Sequence, residues 1–448
     1  MRIKLLTTLL LFAGLSPVMG QAVLERYVAM GMESNLALQQ EDINQAQSLA
    51  LLREARSFYL PQLSLEASYT LAQGGRDINF PVGDLFNPVY GTLNQLTGTD
   101  QFPTEVENVQ VQFLPNDFHD TRLQLRQAIL NTDAYYGIRA RESQVAMQAA
   151  TRNAYAQELR RDIRTAYWQY VQAHTAVQVY DNARGILNEL VRVNQSLFDN
   201  NKATIDRVYR AEMELSAVDA QKEEALSKEV QARNYFNFLL NRELTADIDI
   251  DSVLLLDAGM PEEGLSAEAG TKRSELVAID HGLKASDALR QKAEGFRIPD
   301  IGVGVQAGYQ GFGYKFDGTQ DYMLMQINLS WPLFGGFGNL ARVQQATLNI
   351  QKLEMQQEQL EQHIEMQVQN AEQALISARS TWKARQAAAK SAGQNFRLVK
   401  RRYEEGQAIL VEFIDARTQL TNAQLQEQIA YFQILIAQNN LSFALGNS

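Results

Sequence analysis

The chain has 448 residues, with 41 Lys and Arg against 52 Asp and Glu, no cysteine and a 45% share of hydrophobic residues. That apolar share excludes a disordered chain, and the missing cysteines exclude a disulfide framework, thiolate metal sites and lipid attachment to an N-terminal cysteine. The acidic balance argues against nucleic acid as a partner.

Arg2 and Lys4 precede a mostly apolar run from Leu5 to Leu15, with Val18 and Gly20 behind it, which predicts a secretory signal over residues 1–20 and cleavage before Gln21. No later run reaches the ~18 uninterrupted apolar residues of a spanning helix, so a membrane crossing by the mature chain has to be made by strands. A helical pattern over 35–58 leads to Pro61. Directly after it Leu63, Leu65, Ala67 and Tyr69 alternate with Ser64, Glu66, Ser68 and Thr70, the mark of a strand with one apolar side. A return strand is expected over 119–130. The residues between, 73–118, carry Pro81, Pro88, Pro103 and Pro115 and predict a long loop on the extracellular side. A very long helix (138–198), a turn and a shorter helix (205–243) follow, and the polar, Gly-containing stretch 257–274 reads as a linker.

The same order then returns: helix 273–296, a strand, a return strand over 322–333, a very long helix 338–403, a turn, and a helix 409–446. In the third strand Ile301, Val303, Val305, Ala307 and Tyr309 alternate with Gly302, Gly304, Gln306, Gly308 and Gln310; these glycines lack the spacing and the following helix of a phosphate loop. The segment LLREARSFYLPQLSLEAS (51–68) reappears as LRQKAEGFRIPDIGVGVQ (289–306), LQLRQAILN as INLSWPLFG, and LFDNNKATIDRVYRA as RYEEGQAILVEFIDA. These matches predict a tandem duplication, with repeats over 21–256 and 275–448.

Four strands of about ten residues are long enough to cross a bilayer but too few to close a barrel, and an open edge in lipid strands its backbone groups, so copies of the chain have to share one barrel. Tyr69, Tyr309, Tyr322, Trp331 and Phe334 fall near strand ends, as interfacial aromatics do. The long helices span about 90–100 Å each, beyond any compact domain, and in each half the two shorter helices together match the long one. Leu159, Ile163, Ala166, Tyr170, Ala173, Val177 and Tyr180, then Ile409, Phe413, Ala416, Leu420 and Ala423, keep the 3.5-residue period of coiled-coil packing, one narrow stripe per helix.

The order of helix, FYLPQLSL or FRIPDIGV strand, return strand ending SWPLFGGFGNLARVQQA, long helix, YEEGQAILVEFIDA turn and return helix resembles the TolC-like outer-membrane efflux proteins over nearly the whole mature chain. The resemblance implies an α+β membrane protein and a homotrimer. It further implies a twelve-stranded β-barrel in the outer membrane of a Gram-negative cell, continued by a twelve-helix α-barrel through the periplasm. It implies a passive exit duct that docks a periplasmic adaptor (membrane fusion protein) and an inner-membrane pump of the RND or ABC type, the pump choosing the cargo. No cofactor and no catalysis are expected: His119, His174, His281 and His363 show no ligand spacing, and GxSxG, Walker and HExxH motifs are missing. The rival readings are a secreted trimeric coiled-coil scaffold or adhesin without channel activity, which leaves four membrane-length strands unexplained, and an adaptor, which has one helical hairpin rather than two.

Two sets of residues carry the functional expectations. Asn201, Lys202 and Ala203 in one turn, and Gly406, Gln407 and Ala408 in the other, are expected at the periplasmic tip as the adaptor contact; Asn and Gly both tolerate the left-handed conformation of a tight turn. Glu412 and Asp415 lie three apart, each directly before a seam residue, Phe413 or Ala416, which places them beside the packing stripe. The segment VEFIDA resembles the family's VDVLDA, whose acidic residues line the entrance constriction, and six such carboxylates in a trimer form a cation-attracting ring. Asp206 and Arg207 at the matching turn are expected gate partners for Tyr403 or Glu412. Ala408 stands where firmly locking relatives have a basic residue.

Overall fold

A computed structural model describes residues 19–250 and 273–447. The signal segment up to residue 18 and most of the expected linker, 257–272, lie outside the described residues. The described chain runs α1 (Met19–Ser34), α2 (Leu36–Ser57), β1 (Gln62–Thr70), β2 (Asp77–Phe80), α3 (Val82–Thr97), β3 (Val109–Gln112), β4 (Phe118–Leu130), α4 (Thr132–Asp199) and α5 (Ile205–Leu239). It continues with α6 (Ser274–Glu294), a 3₁₀ turn, β5 (Asp300–Phe312), β6 (Asp321–Ser330), α7 (Gly338–Glu404) and α8 (Leu410–Ala444). Two compact units result, one drawn from the described residues 19–49, 143–250, 273–285 and 349–447, the other from 50–142 and 286–348.

In the strand-bearing unit the sheet order is β1-β4-β5-β6, every pair antiparallel. Opposed residues share a face, so the register sorts the side chains. Leu65 pairs with Leu123, Leu123 with Ala307 and Ala307 with Met323, a continuous apolar row. The next row over on the same face joins Leu63, Leu125, Val305 and Met325. The opposite face carries Glu66, Arg122 and Gln124, with the Arg122 guanidinium 2.8 Å from Glu66. Apolar residues of the first face stand open: Leu65 is 69% exposed and Ile327 71%. Among the described residues of one chain, β1 and β6 each keep an unpaired edge.

The expected long loop, 73–118, carries structure of its own: β2 pairs with β3, and α3 lies between them. One expectation is corrected in this unit. The last strand ends at Ser330 rather than 333, leaving Trp331 and Phe334 beyond the ladder, because Pro332 has no N–H to give it. Tyr69, Tyr309 and Tyr322 sit at the loop end of the sheet, where Tyr69 pairs with His119 in register and Tyr322 with Gly308. Trp331 and Phe334 therefore mark its other end.

Among the described residues the helical unit holds three apolar clusters. Tyr27, Leu38, Ile163, Tyr167, Phe236 and Leu240 form the largest, with the Tyr27 ring edge-on to Phe236 at 5.2 Å. Helix α1 was not expected. It is separated from α2 by Asn35, whose buried side chain accepts from the N–H groups of Ala37 and Leu38, both at 3.0 Å, and donates to the Leu239 carbonyl at 2.9 Å. The single narrow stripe per helix is also corrected for α8. There Phe413 and Ala416 are buried, and so are Ile414, Arg417 and Thr421 on the adjoining stripe. A helix gripped from two sides buries a wider face than one packed along a seam.

Candidate functional site

Four helix ends in the helical unit close the same way. After α4, Asn201 takes φ 58°; its N–H donates to Phe198 O at 2.8 Å, and that of Lys202 to Leu197 O at 2.8 Å. After α7, Gly406 takes φ 71°; its N–H donates to Tyr403 O at 3.0 Å, and that of Gln407 to Arg402 O at 2.7 Å. Both are Schellman closures, in which a left-handed residue turns the chain while two amides satisfy the last free carbonyls. Asn241 and Gly446 close α5 and α8 with the same pair of bonds, and Asn201 lies as far from Gly406 as Asn241 from Gly446 in the sequence. Thr204 and Ile409 then turn the chain into α5 and α8 in the same extended conformation.

Beyond these turns both helices begin with an acid, Asp206 in α5 and Glu412 in α8, where the helix dipole favours negative charge. Phe413 (5% exposed) and Ala416 (3%) are buried with Leu187, Leu190, Val399 and Ala211, while Glu412 and Asp415 remain exposed on the flank. The Arg402 guanidinium stands 3.9 Å from Glu412 across solvent and also donates to the Gln407 carbonyl at 3.1 Å. Of the four tip residues beside Asn201 and Gly406, Lys202 and Gln407 are exposed, Ala203 and Ala408 half-buried.

The expected gate partners are not brought together within one chain. The Tyr403 hydroxyl donates to Asn194 Oδ1 at 3.0 Å, its ring lies 5.1 Å from that of Phe413, and Asn194 is itself fully buried and bonded to the Leu190 carbonyl. Asp206 and Arg207 are exposed. The histidines are likewise dispersed: His119 meets Gln320, His174 meets Glu229 at 2.7 Å, and His363 meets Gln367.

The sequence reading missed one pair. Arg417 is 2% exposed, and its guanidinium donates to Glu214 Oε1 at 2.6 Å and to Thr418 Oγ1 at 3.2 Å, while its Nε–H finds no acceptor. It bridges α5 and α8 about two turns from their starts. The signal was Arg417 directly after the seam residue Ala416, with Glu214 directly before Leu215 of the facing seam.

Residues 265–447 match the family model described as Outer membrane efflux protein. The chain is 24% identical over 437 residues to Outer membrane protein TolC of Escherichia coli (strain K12), an alignment covering 92% of this chain and 80% of the relative. Its fold matches the Campylobacter jejuni CmeC outer membrane channel with a TM-score of 0.76 at 17% identity, covering 95% of this chain and 85% of that one. The open-state Neisseria gonorrhoeae MtrE outer membrane channel matches with a TM-score of 0.76 at 19% identity, covering 95% and 89%. The duplicated helix closures and the one-sided sheet thus belong to a chain that is similar in sequence and fold to the TolC-like outer membrane efflux proteins.

Proposed function

We propose that three copies close a twelve-stranded barrel, β1 of one pairing with β6 of the next, and that the helices continue it as a twelve-helix tunnel. The trimer is a passive exit duct for cargo delivered by an inner-membrane pump through a periplasmic adaptor. One observation carries the reading: a four-stranded antiparallel sheet whose strands are long enough to cross a bilayer, with one exposed apolar face and, among the described residues, both edges unpaired. In a bilayer those edge groups have only another copy to bond. The chain is built of two repeats, 21–256 and 275–448, a division supported by the paired Schellman closures. Tyr69, Tyr309 and Tyr322 serve one membrane interface, Trp331 and Phe334 the other.

The turns at Asn201, Lys202, Ala203 and at Gly406, Gln407, Ala408 are the adaptor contact, and Glu412 with Asp415 forms an acidic ring at the periplasmic mouth. Support comes from the exposure of both carboxylates beside a buried seam within about three turns of Gly406. Asp206 and Arg207 are the gate partners of Glu412 across a subunit boundary, a reading supported by the exposure of all three at matching helix starts. The test is electrical. In a planar bilayer, Glu412→Gln with Asp415→Asn should weaken cation selectivity and block by periplasmic-side divalent ions; unchanged selectivity and block with conductance intact would remove these residues from the pore.

A further inference from the structure

Helix α3 presents two opposite faces. Gly83, Asn87, Tyr90 and Asn94 lie on one side, and this side is fastened to the segment that follows the helix. Asn87 donates to the Val106 carbonyl at 3.0 Å and accepts from the Val106 N–H at 2.8 Å; Asn94 makes the same two-way bond to Phe102, at 2.8 and 3.0 Å. Asn108 reaches back to Asp84 at 3.1 Å, and the Tyr90 ring stacks between those of Phe86 and Phe102. The approach is close enough that a Cβ at Gly83 would stand 2.0 Å from the Val106 oxygen. An amide that both gives and receives a backbone bond fixes rotation as well as distance. The facing direction of α3 is therefore built in.

Directly opposite run Leu85, Val89, Thr92 and Leu96, which at about 100° per residue fall within about 60° of one another. Leu85 is 65% exposed, Val89 52% and Leu96 79%. The Thr92 hydroxyl is already spent on the Pro88 carbonyl at 2.9 Å, so it offers the stripe little more than its methyl group. Steps of four, three and four are the spacing of a helix seam.

We propose that this stripe is covered by its own copies: the α3 helices of three chains pack together over the outer mouth as a three-helix cap. The inference rests on the trimeric reading above, because the symmetry that pairs β1 with β6 of the next chain also carries each α3 around the same axis. Charge favours this occupant. Asp84 is the single charged residue of α3, set off the stripe, so like helices meet without repulsion. A lipopolysaccharide or lipid surface, the other apolar partner at hand, is anionic and favours Lys and Arg on the segment that meets it. Between residues 71 and 117 the one basic residue is Arg76, and its guanidinium lies over the Phe113 ring at 4.4 Å.

The chain has no cysteine, so single cysteines report without background. Leu96→Cys and Gln95→Cys are purified from outer membranes and first weighed as intact assemblies, which tests the trimer on its own; a chain that is not trimeric fails there and the barrel reading falls with it. In an intact trimer, oxidation of Leu96→Cys should give covalent dimers, two of three thiols pairing and the third left over, at least about tenfold faster than Gln95→Cys, whose side chain points about 100° away. Equal rates in an intact trimer, or a Leu96→Cys spin label quenched by reagents dissolved in the lipid phase, would overturn the cap and assign the stripe to the membrane surface.

Discussion

Glu214→Gln tests the account of how α5 and α8 are held together near their starts. Arg417 keeps 2% of its side chain exposed and has Glu214 as its ion-pair partner at 2.6 Å, so the substitution leaves a buried cation facing a neutral amide. Removing one member of a buried pair costs about 3–5 kcal/mol. Glu214 retains 22% of its side-chain exposure and Thr418 still accepts at 3.2 Å, so the low end applies, about 3 kcal/mol. Arg417→Met with Glu214→Gln replaces both partners, keeps the buried stem volume and removes the unbonded Nε–H; it should fall within about 1 kcal/mol of the parent protein. The pair thus predicts a rescue, in which the double variant is more stable than Glu214→Gln alone. Burial lowers the Arg417 pKa and Glu214 pulls it partly back. For a base whose folded pKa is lowered, the penalty stands at every lower pH and is relieved only as pH rises through that folded value, so it is constant through the neutral range. The assay is hydrogen exchange at the second and third turns of α5 and α8, around Glu214 and Arg417, where about 3 kcal/mol is roughly a hundredfold faster opening. Exchange in Glu214→Gln equal to the parent, or a double variant no slower than the single one, would refute the reasoning.

The turns and the end of α8 give two further expectations. Gly406 sits at φ 71° with nothing within 4 Å of the place an alanine methyl would take, so Gly406→Ala should cost only the left-handed conformation, about 1–2 kcal/mol, while Asn201→Gly should slow exchange at the other turn; no change at either would deny the left-handed closures. Burial alone would raise the Glu275 pKa, but the Arg273 guanidinium, itself 3% exposed, bonded to Glu275 at 2.7 Å and donating to the Ala444 carbonyl at the end of α8 at 3.3 Å, more than offsets this and holds it below the usual carboxylate value. A depressed acid stabilises above its unfolded pKa of about 4.5 and loses that contribution as pH falls through the folded value, so opening at the end of α8 should rise with acid below about pH 4.5 and lose much of that slope in Glu275→Gln.

The periodic parts of the chain were legible. Alternation in 63–70 and 301–310 gave the strands, and the expected long helices end within a residue of Asp199 and Glu404, because a full-length apolar period admits few alternatives. Irregular features were not. Helix α3 was hidden by its prolines: Pro81 stands just before the helix, where its ring is harmless, and Pro88 interrupts an apolar stripe that continues on both sides. Helix α1 fell beside the apolar signal-like run, and Asn35 reads as an ordinary polar residue until the Leu239 carbonyl it bonds is known. Arg417 falls outside the stripe of Phe413, Ala416 and Leu420, and a stripe drawn for one neighbour cannot show a second. Tyr403 stood out as an aromatic beside the turn; its actual partner, Asn194, is remote in sequence and carries no pattern at all.

The claim that copies complete the sheet is tested most directly by joining its two edges. Within one chain β4 and β5 separate β1 from β6, which puts those edges about 14 Å apart, too far for an internal disulfide. A cysteine fixed at Ser64 on β1, paired in turn with cysteines along β6 at Gln326, Asn328 and Ser330, should yield covalently closed trimers in outer membranes at one register and little at its neighbours. Monomers at every register, from protein that reaches the outer membrane and conducts, would contradict the shared barrel.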